Sequence, residues 1–127
     1  MLEKVPGEGV RTYVVWVPMN RALERDVANA TKEIWDPRAR HYWDADGWLM
    51  RTYQRVLGGF PFEPAWDTYI LYGPDAKWDG EPPPKPAYWM HQLGSARQPR
   101  AIGPFWNPET FRAQVAALVP VPQPVAR

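Results

Sequence analysis

Cysteine is absent from all 127 positions, and that absence removes more chemistry than any residue present supplies. Disulfides, thiolate nucleophiles, Cys-x-x-Cys redox pairs and thiolate zinc sites are all excluded. Serine is nearly absent too, Ser95 being the only one. It sits in Gly94-Ser95-Ala96-Arg97, which is not the strand-to-helix elbow of a serine hydrolase, so a nucleophile built from Ser95 and His91 is set aside. Charge of one sign is missing as well: 15 basic and 14 acidic side chains leave a formal net of +1, scattered along the chain. Without a basic stripe there is no footprint for nucleic acid, and none is expected as a partner. No apolar run reaches the roughly 18–20 residues of a membrane-spanning helix. Met1 to Gly9 has no signal-peptide core, so no membrane partner is expected and the default address is cytoplasmic. Val56-Leu57-Gly58-Gly59 follows a helical stretch rather than a strand, so it is no phosphate-binding glycine loop, and no cofactor is expected.

What the chain has in excess is tryptophan and proline, eight and sixteen residues. A buried aromatic removes about 150–250 Å² from water, roughly 4–6 kcal/mol each at about 25 cal/mol/Å² before entropy is charged. Several such residues can hold a domain together without disulfides. Length sets one domain, over 1–119, followed by a proline-rich flexible tail at 120–127.

Thr12 to Val17 is β-branched and aromatic on both faces, which suits an interior strand of a parallel sheet. Pro18 stops it. Asn20 is a fair N-cap for a helix whose Leu23, Val27, Ala30 and Ile34 fall at helical spacing, ended by Asp36-Pro37. Arg40 to Trp43 is a short strand. Asp44 to Gly47 is a turn whose aspartates can cap a second helix, with an apolar stripe of Leu49, Tyr53, Val56 and Leu57 and a stop at Gly58-Gly59. Asp67 to Tyr72 is a strand, Gly73 to Lys77 a turn, and Trp78 resumes pairing. Gly80 to Pro86 is an extended loop. Tyr88 to Leu93 is the next strand, antiparallel to the one before. Asn107-Pro108 opens a final helix lined by Phe111, Val115 and Leu118. Crossover helices between early strands imply parallel pairing and the late hairpin an antiparallel pair, so the class is α/β with one mixed sheet and helices on both faces.

Over Thr12 to Trp78 and on to the last helix, this order resembles the thioredoxin-like superfamily, in the branch of TlpA-type and peroxiredoxin-related thiol–disulfide reductases. Tyr13 to Val17 resembles the first strand of the pattern and His41-Tyr42-Trp43-Asp44-Ala45-Asp46-Gly47 its short strand and turn. Ala65 to Tyr72 resembles the strand after the family's cis-proline, for which Pro64 is the nearest residue, and Gly73 to Trp78 its hairpin. The resemblance implies a three-layer thioredoxin-like sandwich. It departs where the family carries its cysteines at a helix start, since no residue here can take that role. It also implies that a strand and a cysteine-bearing helix precede Thr12, with Met1 to Val5 near the end of that helix.

The expected function is therefore a redox-inactive thioredoxin-like domain, either the truncated remainder of a thiol–disulfide oxidoreductase or a non-catalytic binding module for a protein or peptide. No catalytic residue is assigned. Trp43, Pro64, Trp66 and Trp89 are the candidate binding residues, because aromatics near strand ends make a patch for a peptide. The alternative is a metal-dependent enzyme or metal-binding protein using His41, Asp44, Asp67 and His91, whose imidazoles and carboxylates suit a divalent ion. Asp44 and Asp46 are otherwise turn and capping residues. If an inner strand is missing, its neighbours' amides need another partner and self-association is expected.

Overall fold

The computed structural model describes residues 9–80, 82–119 and 125. Met1 to Val5 and, Val125 apart, the proline-rich tail lie outside the described residues. Among the described residues four strands form: β1 (Thr12–Trp16), β2 (Ala39–Trp43), β3 (Thr68–Leu71) and β4 (Tyr88–His91). Three helices accompany them: α1 (Val27–Ala30), α2 (Trp48–Leu57) and α3 (Pro108–Leu118).

The two long helices follow from local chemistry. Both carboxylate oxygens of Asp44 accept from the start of α2, from the Trp48 amide at 3.1 Å and the Leu49 amide at 2.8 Å, satisfying donors that have no partner inside the helix. At its other end Gly58 adopts φ +73°, and its amide closes on the Gln54 carbonyl. Asn107 caps α3 by accepting from the Thr110 amide at 3.0 Å, with Pro108 in the first turn.

The first expected helix is a correction. Asn20 and Arg21 have φ of +53° and +62°, so Asn20 is not an N-cap. Only a 3-10 turn over Glu24–Asp26 and the single turn of α1 form, neither with a buried residue. The Leu23 amide donates to Asp26 at 2.8 Å, but the Leu23 side chain is exposed. An amphipathic helix draws most of its stability from burying its apolar face, and of this stripe Leu23 is exposed while Val27, Ala30 and Ile34 are only half-buried and join neither core cluster.

β1 and β2 run parallel, and β3 and β4 antiparallel. Strand alternation divides the second pair between two cores. Ile70, Tyr72 and Trp89 pack with Tyr53 of α2, Phe60 and Leu93. Tyr69, Leu71, Tyr88 and Met90 pack with Phe111 and Val115 of α3. The β3–β4 pair thus has a helix on each face, and the molecule is mixed α/β.

The single mixed sheet is not what forms. β1 and β3 lie in separate two-stranded sheets. No residue of β1 or β2 is buried, and of the segment around β1 only Val10 packs against a core cluster. Among the described residues each strand completes a ladder with one neighbour, and beyond that only His91 of β4 makes an isolated parallel bridge, to Phe105.

Loops finish the β3–β4 core. The indole of Trp89 lies across Gly59 and Gly103; a methyl group added at either would overlap it, and at Gly59 the Ile102 carbonyl as well. Gly103 also sits at φ +152°. Trp78 does not resume pairing. Its ring meets Tyr53 edge-on at 6.3 Å.

Candidate functional site

The proposed metal quartet is not brought together. His41 lies on β2, and its Nδ1 accepts from the Trp16 indole at 3.1 Å with the two rings stacked. Asp44 is occupied at the start of α2. His91 lies on β4 in the other sheet with no exposed surface, and its Nδ1 accepts from the Leu93 amide at 3.2 Å. Among the described residues no group of three or more His, Asp or Glu side chains is placed to hold a metal ion.

Asp67 and His91 do remain neighbours. Asp67 directly precedes β3 at φ +50°, and its carbonyl accepts from the Gln92 amide. Partial burial pushes its carboxyl above the ordinary carboxylate value, while the nearby His91 pulls it back. The Tyr69 hydroxyl is raised by burial and by that same carboxylate. With Nδ1 accepting, the His91 proton belongs on Nε2, which has no hydrogen-bond partner among the described residues. Phe105 stands edge-on to the imidazole at 5.5 Å, and Phe60 and Trp89 close the box. A ring face is a weak acceptor for such an N–H. His91 is thus a core histidine, holding β4 to the loop through its backbone bonds to Pro104 and Trp106.

The four candidate binding residues divide as well. Trp66 and Trp89 are half-buried against the first core cluster. The Trp66 indole donates to Glu63 at 2.7 Å, and Arg100 pairs with the same carboxylate at 3.1 Å. Pro64 is half-buried, and its carbonyl accepts from the Trp66 amide. Trp43 stands apart on β2, in register with Trp16. Three of the four line the core edge rather than an open patch.

The open apolar surface lies on the parallel pair. Tyr13 and Tyr42 are 61% and 53% exposed on one face, their rings 6.3 Å apart. Arg40 is opposite Tyr13 in the register. The other face carries Val14 and the Trp16–His41 stack, all partly exposed. Among the described residues no third strand pairs with β1 or β2. Sequence reasoning missed Tyr13 and Tyr42 because it treated the first strand as interior. The signal was there in the period-two exposure of Arg40 and Tyr42 on β2. Comparison of the chain with family models, curated proteins and solved structures finds no match in any of them, so these contacts alone carry its functional interpretation.

Proposed function

We propose that the chain is a thiol-free domain of thioredoxin-like type, in which no inner strand joins β1 to β3 among the described residues, and that it works as a binding module which accepts an added β-strand at the open edge of β1. The supporting observation is the divided sheet: among the described residues β1 and β3, both apolar, are each paired on one side only, in separate sheets. A parallel pair with no buried residue is a poor stopping point, because parallel sheets are ordinarily covered on both faces and two strands alone are marginal. One extended segment between β1 and β3 would pair the free amides of both and join the halves into the mixed sheet that the sequence implies. The parallel early pair, the antiparallel late pair and the helices on both faces of β3–β4 support the same kinship. With no cysteine to exchange, what such a domain retains is strand recognition.

Hydrogen exchange tests this on the whole chain. In the free protein the amides of Tyr13 to Trp16 should exchange much faster than those of Tyr69 to Leu71. A synthetic peptide with the sequence of residues 12–17 should slow the first set, and with it those amides of the second that β4 leaves unpaired. Equal protection of both sets in the free protein, or no response to the peptide at millimolar concentration, rejects the proposal.

A further inference from the structure

The phase of the β1–β2 ladder decides which backbone groups stay open on the far side of β1. The Thr12 amide donates to the Arg38 carbonyl, and the Asp44 amide donates to the Trp16 carbonyl. Thr12, Val14 and Trp16 therefore turn their amides and carbonyls toward β2. Those of Tyr13 and Val15 point the other way, where no strand pairs with them among the described residues. We propose that a second copy of this chain occupies that edge, β1 against β1 in antiparallel register, with Val14 facing its own copy on the two-fold axis.

The inference rests on the strand-accepting edge proposed above and names its partner. In that register Tyr13 of each chain exchanges both backbone bonds with Val15 of the other, so the open groups of these two residues are all paired at once. The side chains fit as well. Tyr13 stands opposite Val15, Thr12 opposite Trp16 and Val14 opposite itself. Each pair thus sets a β-branched residue against an aromatic or another β-branched one, the kind of cross-strand contact that stabilises a sheet. Alternation is preserved, so Tyr42 and Val15 of one copy continue into Tyr13 of the other on a single face. Charge favours this edge over its rival. Thr12–Trp16 carries none, whereas edge strands are ordinarily blunted by charge, as β2 is by Arg40. Arg11 meets Val17 of the other copy, not its own like. A contact one strand wide belongs to the small, weak class of interfaces, so the monomer prevails in dilute solution.

Sedimentation equilibrium of the full chain from about 10 μM to about 1 mM, the weak range of specific association, should show monomer passing to dimer. The peptide of residues 12–17 should compete the dimer apart. Val14→Lys and Val14→Glu each bring like charges face to face on the axis and should weaken association about ten-fold or more. Val14 is only half-buried, so both variants should fold, as circular dichroism would verify. An equimolar mixture of the two should restore the dimer, because opposite charges then meet; a lesion within one chain would not be rescued by mixing. Should either variant unfold, protection of the Tyr13 and Val15 amides that rises with parent concentration, while that of Tyr69 does not, decides the question. A chain that stays monomeric to about 1 mM overturns the inference, and if the peptide still protects β1 the strand-accepting reading stands. A dimer that both variants leave intact, or a mixture no stronger than either alone, overturns it too. Protection of Tyr13 and Val15 in the dilute monomer overturns both.

Discussion

The hydroxyls of Tyr53 and Tyr72 lie 2.8 Å apart, and Tyr72 in turn donates to the Pro84 carbonyl at 2.7 Å. With the Tyr72 proton committed to Pro84, the Tyr53 hydroxyl must donate to Tyr72. The relay ties α2, the end of β3 and the proline-rich loop to one point. Burial raises the ionisation of both phenols, Tyr53 very strongly, so both stay protonated and able to donate across the ordinary pH range.

Tyr72→Phe breaks the relay in the middle. It removes the donor to Pro84 and leaves the partly buried Tyr53 hydroxyl without its acceptor. The expected cost is about 1–3 kcal/mol, because an unsatisfied buried group bears its full desolvation penalty. Tyr53→Phe should cost less, about 0.5–1.5 kcal/mol, since Tyr72 keeps Pro84. Urea denaturation followed by tryptophan fluorescence measures both. Equal costs, or a silent Tyr72→Phe, would show that the relay contributes nothing.

Gly103→Ala puts a methyl group into the Trp89 indole on a backbone that favours glycine. Overpacking of this kind costs about 1–3 kcal/mol. In a Trp89→Leu background the steric part should vanish, so the double mutant should be more stable than the sum of the two single costs implies. Thermal melts of the four proteins give the coupling. Strict additivity would place the indole elsewhere.

Asp67 supplies a pH dependence. Its folded carboxyl binds a proton more tightly than the unfolded one, chiefly through burial. The folded state therefore holds the extra proton in the window between the two values. Stability falls as pH rises from the ordinary carboxylate range through the raised one, and the loss persists at neutral pH. Asp67→Asn abolishes the titration and tolerates the positive φ. The variant should be equal or slightly better at about pH 7, within about 0.5 kcal/mol because the side chain remains half in water. Its melting temperature should gain on the parent's as pH rises above the ordinary carboxylate range. A difference that shrinks with rising pH would reverse the sign and discard the burial argument.

The parts legible in the chain were those whose partners are close in sequence. Asp44 reaches Trp48 and Leu49, Gly58 closes on Gln54, and Asn107 meets Thr110. Each is a contact within five residues, so residue type and spacing suffice to anticipate it. The stretch from Asn20 to Ile34 has helical spacing too, yet its apolar side joins neither core cluster. Periodicity records a face without recording what it faces. The candidate site failed for the same reason. His41, Asp44, Asp67 and His91 have the right chemistry, but two sheets and a helix cap keep His41 and Asp44 away from the neighbouring Asp67 and His91.

The linear chain alone excludes thiol chemistry, and it anticipates a helix on the Leu49 to Leu57 stripe, a last helix opened by Asn107-Pro108 and antiparallel pairing of the two late strands. Composition and short-range bonds do not depend on what lies across the molecule. Three-dimensional packing decided the rest: which pair of strands received the cores, that His91 is sealed among aromatic rings, and that β1 keeps an edge unpaired among the described residues, with Tyr13 and Tyr42 in solvent. Burial is a property of neighbours distant in sequence, and a strand that reads as interior becomes an edge when no neighbour arrives to cover it.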